Sequence, residues 1–153
     1  MLKRPIYRFL LIVILALLIW WLWQTKSAAL PQAKVLINQQ TFSVEIVDKP
    51  REMMRGLSGR ASLAKNHGLL FIYPDKNYLT FWMKGMNFPI DLLWIDGDKI
   101  VGLEKNMLPE PGVVDGSLKR YNSPQTVSKV LEVPAGSIEA ANIKLGDIIK
   151  ISL

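Results

Sequence analysis

Alternation of apolar and polar residues organises most of the chain beyond its first quarter. Lys34 to Asn38 (KVLIN) and Thr41 to Val47 (TFSVEIV) alternate in the manner of half-buried strands, and Gln39-Gln40 between them reads as a hairpin or tight turn. Pro50 to Leu57 (PREMMRGL) has helix chemistry: Asp48 is placed to cap, Pro50 suits the first turn, and Gly56 stops or bends the helix. Leu69 to Tyr73, Leu79 to Met83, Asp91 to Ile95 and Ile100 to Leu103 are rich in branched and aromatic residues, and Asp96-Gly97-Asp98 is a strong hairpin signal. Pro109 to Pro124 lacks periodicity and predicts a long exposed loop. Val127 to Val133 reads as a strand, Ser137 as the cap of a short helix through Asn142, and Asp147 to Leu153 as a closing strand.

The opening of the chain follows a different pattern. Phe9 to Trp23 is an unbroken apolar run, preceded by Lys3, Arg4 and Arg8 and followed by Gln24, Thr25 and Lys26. Extended to Ile6, it nears the ~20 residues that cross a hydrocarbon core. The basic residues on its N-terminal side predict a cytoplasmic N-terminus and an extracytoplasmic domain, with residues 6–23 in the membrane. Ser27-Ala28-Ala29 offers small residues for a signal peptidase, and cleavage near Ala29 would give a secreted domain. Trp20, Trp21 and Trp23 favour a retained helix, because indole rings settle at the headgroup level.

The whole therefore predicts an all-β domain, a small sandwich or barrel of about eight strands with two short helices, preceded by one N-terminal transmembrane helix. Its divisions are an anchor or uncleaved signal over 1–26, a linker over 27–32 and the β domain over 33–153.

The formal charge of +6 suggests nucleic acid only until it is divided. Four of the nineteen basic residues flank the apolar run, leaving fifteen against thirteen acidic ones, a net of +2 with no basic stripe. A nucleic-acid partner is not expected. The absence of cysteine excludes thiol chemistry and cysteine metal sites, and the chain carries no phosphate-cradling loop, no His-Glu-x-x-His and no Gly-x-Ser-x-Gly. The sole histidine, His67, reads as a solvated loop residue, and Asp96 with Asp98 reads as turn chemistry before it reads as a cation pair. No metal or cofactor is expected. A serine–lysine hydrolase would draw on Ser43, Ser58, Ser123 or Ser128 with Lys84 or Lys129, none of them in a nucleophile motif.

What remains is a set of residues planted among apolar neighbours, most densely in TFWMKGMNFPIDLLWID from Thr80 to Asp96. Arg55, Arg60, Lys84, Asp91 and Glu132 are its charges, Trp82 and Met83 an apolar wall, and Gly56 and Pro89 structural positions. An unpaired buried ion costs several kcal/mol, so such charges are expected to be partnered. Two readings stay open. Arg55 or Arg60 pairs with Asp91 or Glu132 to pin the helix to the sheet, or these residues line a pocket whose arginines bind an anionic or hydroxylated ligand.

Three ordered blocks carry a resemblance to a known family: EMMRGLSGRASL over 52–63, GLLFIYP followed by TFWMKGMNFPIDLLWID, and KVLEVPAG over 129–136 followed by IKLGDIIKI. From about Val35 to Leu153 the chain resembles the prokaryotic domain-of-unknown-function family 192. It departs from the pattern at Ser58 and Leu69, where the family often has methionine, and at Gly85, where an asparagine usually follows the lysine. The resemblance implies a secreted or membrane-anchored domain with a small β-sandwich or barrel fold, and it adds weight to Arg55, Gly56, Arg60, Trp82, Met83, Lys84, Pro89, Asp91 and Glu132 without assigning them roles. The expected function is a ligand-binding or accessory module of the cell envelope, more a binder than an enzyme, with a small anionic or carbohydrate ligand. The alternatives are a hydrolase or lyase using Asp91 or Glu132 with Lys84, and a structural partner of another membrane protein through the loop 109–124. The sequence does not set the oligomeric state.

Overall fold

The computed structural model describes residues 4–24 and 29–153. A helix, α1, covers Arg4–Gln24, and its described side chains from Phe9 to Leu18 are exposed wherever they are large and apolar. Counting only described residues, no helix is long and apolar enough to cross a membrane. The flanking Lys3 and Lys26 and the first two linker residues, Ser27 and Ala28, where the cleavage position lies, are outside the described residues, as are the side chains of Trp20, Trp21 and Trp23.

Nine strands follow: β1 (Gln32–Ile37), β2 (Gln40–Val47), β3 (His67–Asn77), β4 (Thr80–Phe81), β5 (Ile90–Asp96), β6 (Lys99–Met107), β7 (Tyr121–Asn122), β8 (Val127–Pro134) and β9 (Ile149–Ser152). The short helices α2 (Pro50–Arg55) and α3 (Ser137–Ala140) and a 3-10 turn, η1 (Asp115–Ser117), complete the chain. Seven strands form one sheet in the order β6-β5-β8-β3-β2-β1-β9, and β4 pairs with β7 separately. Every pairing is antiparallel except β2 with β3, joined through α2. The sheet curls into a half-barrel, and its two edge regions touch at one isolated bridge, Lys99 to Ile148. The expected sandwich or barrel thus resolves as a mostly β fold, a curled seven-stranded sheet with a separate two-stranded pair.

The central strands are covered on both faces, so β5 (IDLLWID) is buried over nearly its whole length. The pleat divides it: Leu93 and Ile95 join one core with Val35, Phe42, Leu70 and Leu131, while Leu92 and Trp94 join the other with Leu69, Phe71 and Val130. α3 closes the first core through Ile138, and β4, β7 and α2 lie over the second.

Local expectations shift in four places. The first hairpin turns at Asn38-Gln39, with Asn38 at φ 54°, a left-handed position that asparagine tolerates better than glutamine. Asp48 does not cap α2, whose N-cap is Lys49 without a side-chain bond. Ser137 is the first residue of α3, and its hydroxyl donates to the Pro134 carbonyl. The loop 109–124 is not uniformly exposed: it contains η1 and β7 and buries Leu118, Tyr121 and Ser123, because Ser123 exchanges hydrogen bonds with the Leu79 backbone.

Candidate functional site

Glu132 sits in the middle of β8, directly opposite Leu69 on β3 and Leu92 on β5. Its side chain therefore rises into the second core, where its fractional exposure is 6%. Its Oε2 has no hydrogen-bond partner. Burial pushes its pKa from 4.5 up to about 8, against the pull of the Arg60 charge. The carboxyl is thus mostly protonated at neutral pH. Burial and the nearby Glu132 also raise the Tyr73 phenol to about 12.

Glu132 lines a cavity of ≈ 320 Å³ between the sheet, α2 and β4. Met53, Phe71, Phe81 and Trp82 give it apolar walls, with Tyr73 and Arg55 among its polar lining. Phe71 and Phe81 meet edge to face with centroids 4.9 Å apart, fixing two of those walls. Gly56 ends α2 at φ 51° and ψ −132°, and a Cβ there would lie 3.5 Å from Phe71 Cζ and 4.0 Å from Glu132 Oε2. Glycine suits this bend, and its bare Cα leaves the floor of the cavity open beside the carboxyl.

The structure distributes the other candidate residues widely. Arg60 donates two parallel hydrogen bonds to Glu45, of 2.6 and 2.7 Å, and its guanidinium raises no hydrogen bond to Asp91 or Glu132. This fork holds Glu45 below the ordinary carboxylate range. Asp91 is 1% exposed and accepts backbone N–H groups from Asn106 (2.8 Å) and Ile138 (2.9 Å), on the far side of the sheet from the cavity lining. The expected pairing of the arginines with Asp91 or Glu132 is therefore replaced by one arginine–glutamate fork and one backbone-bound aspartate. Met83 is buried in the second core, whereas Trp82 is 43% exposed at the cavity, with the Arg120 guanidinium stacked 4.2 Å from its ring. Lys84 is exposed and pairs with Asp115. The Pro89 carbonyl accepts the Ala135 N–H at 3.4 Å.

Of the expected residues, Arg55, Gly56, Trp82 and Glu132 meet at the cavity, together with the candidate serine Ser58. Asp91 and Lys84 do not line it. None of the four candidate serines hydrogen-bonds a lysine ammonium; Ser58 donates to the Lys84 carbonyl, and Lys129 donates to the Gly97 carbonyl. His67 opens β3, exposed, its ring nitrogen 3.1 Å from the Lys65 carbonyl. Asp96 pairs with Lys76, and no group of three or more metal-ligating side chains occurs among the described residues.

Glu45, Phe71, Tyr73 and Phe81 were not singled out from the sequence. Glu45 occupies a polar slot in the alternating TFSVEIV and looks solvated there; only the fold brings Arg60 to it. The aromatic residues read as core, and three strands must be placed before their shared cavity exists.

The family model described as Uncharacterized ACR matches residues 33–151. A solved structure described as a putative transcription regulator from Sinorhizobium meliloti 1021 is 24% identical, with a TM-score of 0.73 over 81% of this chain and 96% of that one. A second, a protein of unknown function from Novosphingobium aromaticivorans DSM 12444, is 22% identical, with a TM-score of 0.73 over 82% of this chain and 89% of that one. At these identities the likeness is one of fold. No curated protein matches the chain.

Proposed function

Since this chain belongs to domain-of-unknown-function family 192 over residues 33–151, we propose from its own geometry that the domain is a small-molecule binding module of the cell envelope. The ligand places an apolar body between Met53, Phe71, Phe81 and Trp82 and a polar head on Glu132. One observation carries this reading: a carboxyl oxygen buried without a partner, in the wall of a cavity. Leaving such a group unsatisfied costs ~1–3 kcal/mol, a cost that a ligand's hydrogen bond would offset. Perturbed carboxyls in clefts mark candidate sites, although structural networks perturb them too, and Glu132 belongs to no such network of hydrogen bonds.

The test is a fragment screen by NMR on the full chain in lipid nanodiscs. Binding is expected to perturb Glu132, Phe71 and Trp82 together. Fragments that perturb only residues remote from this cavity, or none that bind at all, would overturn the reading.

We also propose that α1 anchors the domain to the membrane with the domain outside the cytoplasm. The support is the apolar run Phe9 to Trp23 with basic residues before it, together with the exposed apolar side chains of the helix. The span proposed is that of the sequence run over residues 6–23, whose described part does not by itself make a crossing. The full chain is expected to stay with membranes through alkaline carbonate extraction, and release into the soluble fraction would contradict the anchor.

A further inference from the structure

The polar groups around the cavity are unevenly spent. The Ser58 hydroxyl donates to the Lys84 carbonyl at 2.6 Å, and the Thr80 hydroxyl donates to Asn122 Oδ1 at 2.7 Å. These two hydroxyls are thereby committed to protein acceptors, which leaves the Tyr73 hydroxyl, the Trp82 indole N–H and the Arg55 guanidinium as the other donors of the lining. The arginine that could have drawn an anion inward, Arg60, has both terminal nitrogens on Glu45. Arg55 lines the cavity as an exposed residue. The group without a partner beside Gly56 is Glu132 Oε2, an acceptor whenever the carboxyl is ionised, and Phe71, Tyr73, Phe81 and Trp82 line the cavity with it.

A ligand that completes the ionised carboxylate must bring its own donors, and a positive charge gains twice. It pairs with the carboxylate in surroundings of low dielectric, and it is attracted to aromatic rings by their quadrupoles. We infer that the Glu132 cavity takes the ammonium head of a small amphipathic amine, its alkyl or aryl body lying against Met53, Phe71 and Trp82. This rests on the cavity being a binding site, and it departs from the anionic or carbohydrate ligand expected from the arginines.

The protonation of Glu132 makes the inference measurable. About nine-tenths of the carboxyl holds its proton at pH 7 when the pKa is about 8. An ammonium needs the ionised form, so binding expels that proton into solvent. The groups facing Glu132 are the Arg60 guanidinium, the Tyr73 hydroxyl and Arg55 at the lining. Arginine does not titrate in this range and Tyr73 titrates far above it, so the released proton belongs to Glu132.

The experiment is calorimetry on the full chain in nanodiscs with three matched probes: phenethylamine, phenethyl alcohol and hydrocinnamate. The expected result is binding by the amine at least tenfold tighter than by the other two. It releases close to one proton per amine at pH 7, read from buffers of different ionisation heat. Affinity for the amine rises by up to about tenfold per pH unit between pH 6 and 8. Glu132→Gln, which keeps size and removes charge, is expected to lose the amine preference while still folding. Trp82→Ala, a change at a half-exposed position, weakens the amine without altering proton release. Tighter binding of the alcohol or the carboxylate overturns the amine inference and leaves the binding module standing. Binding of the amine without proton release, or unchanged by Glu132→Gln, also overturns it. No binding by any of the three at Glu132 counts against both the amine and the binding module.

Discussion

Asp91 Oδ2 accepts the backbone N–H of Ile138 at 2.9 Å, joining the start of β5 to the first turn of α3 across 47 residues of chain. Its other oxygen takes the Asn106 N–H at 2.8 Å, at the end of β6. One buried carboxylate thus fastens three elements and closes the first core over Ile138. Asn106 stands at φ 50°, a left-handed position held in place by this contact.

Asp91→Ala is expected to leave two buried N–H groups without acceptors and to cost about 3–5 kcal/mol. Asp91→Asn keeps one acceptor oxygen and should cost about half as much. Urea unfolding of the full chain checks both. A loss below about 1 kcal/mol for the alanine variant would show that the aspartate is not a structural fastener.

Glu132 predicts the opposite response. Its folded pKa lies above its ordinary value, so the unfolded chain gives up the proton more readily. The stabilising contribution is complete below pH 4.5 and is lost as pH rises to about 8. The loss amounts to no more than about 5 kcal/mol at 1.36 kcal/mol per unit. Glu132→Gln should therefore match wild type in acid and exceed it at pH 8. A thermal melt series against pH reads the difference, and a parallel pair of curves would contradict it.

The Glu45–Arg60 fork is about one-third exposed on each side, so its direct worth is modest, about 1 kcal/mol after solvent screening. Its indirect effect is larger in kind. Arg60→Ala removes the charge that pulls Glu132 down, so the Glu132 titration should move upward. Arg60→Lys, which keeps charge but not the fork, should restore most of that titration and little of the geometry. Glu45 itself titrates below its ordinary value of 4.5, so its share of stability is present above 4.5 and disappears as pH falls from there through the lowered folded value.

Gly102 sits where β6 passes Trp94. A Cβ there would lie 2.6 Å from Trp94 Cδ1 and 2.9 Å from Pro124 Cγ, inside contact distance on two sides. Trp94 is buried and held edge to face by Phe81, so the indole has little room to yield. Gly102→Ala is expected to cost about 2–3 kcal/mol by overpacking, with a change in indole fluorescence. An unperturbed melt would mean that the strand shifts freely.

Much of the strand content was legible because alternation and branched residues mark half-buried strands wherever they occur, as in TFSVEIV and VSKVLEV. The curl was less legible, since the Lys99 to Ile148 bridge joins segments whose sequences do not name each other. The charged positions were visible as anomalies in apolar runs, but their partners were not. Asp91 satisfies backbone N–H groups, which every residue but proline carries, and Arg60 chose Glu45 over the carboxylates nearer to it in pattern. Alternation along VLEV turns Glu132 away from Leu131 and Val133 to the opposite face. That face is buried too, which only the covering by α2, β4 and β7 could reveal.

The most direct measurement is the titration of the Glu132 side-chain carboxyl by carbon-13 NMR in the full chain. A midpoint near 8 is expected, moving down when phenethylamine is added as the ionised form is captured. A midpoint near the ordinary 4.5 would mean a hydrated or hydrogen-bonded carboxylate, and the buried, unpartnered acid on which the binding site depends would not exist.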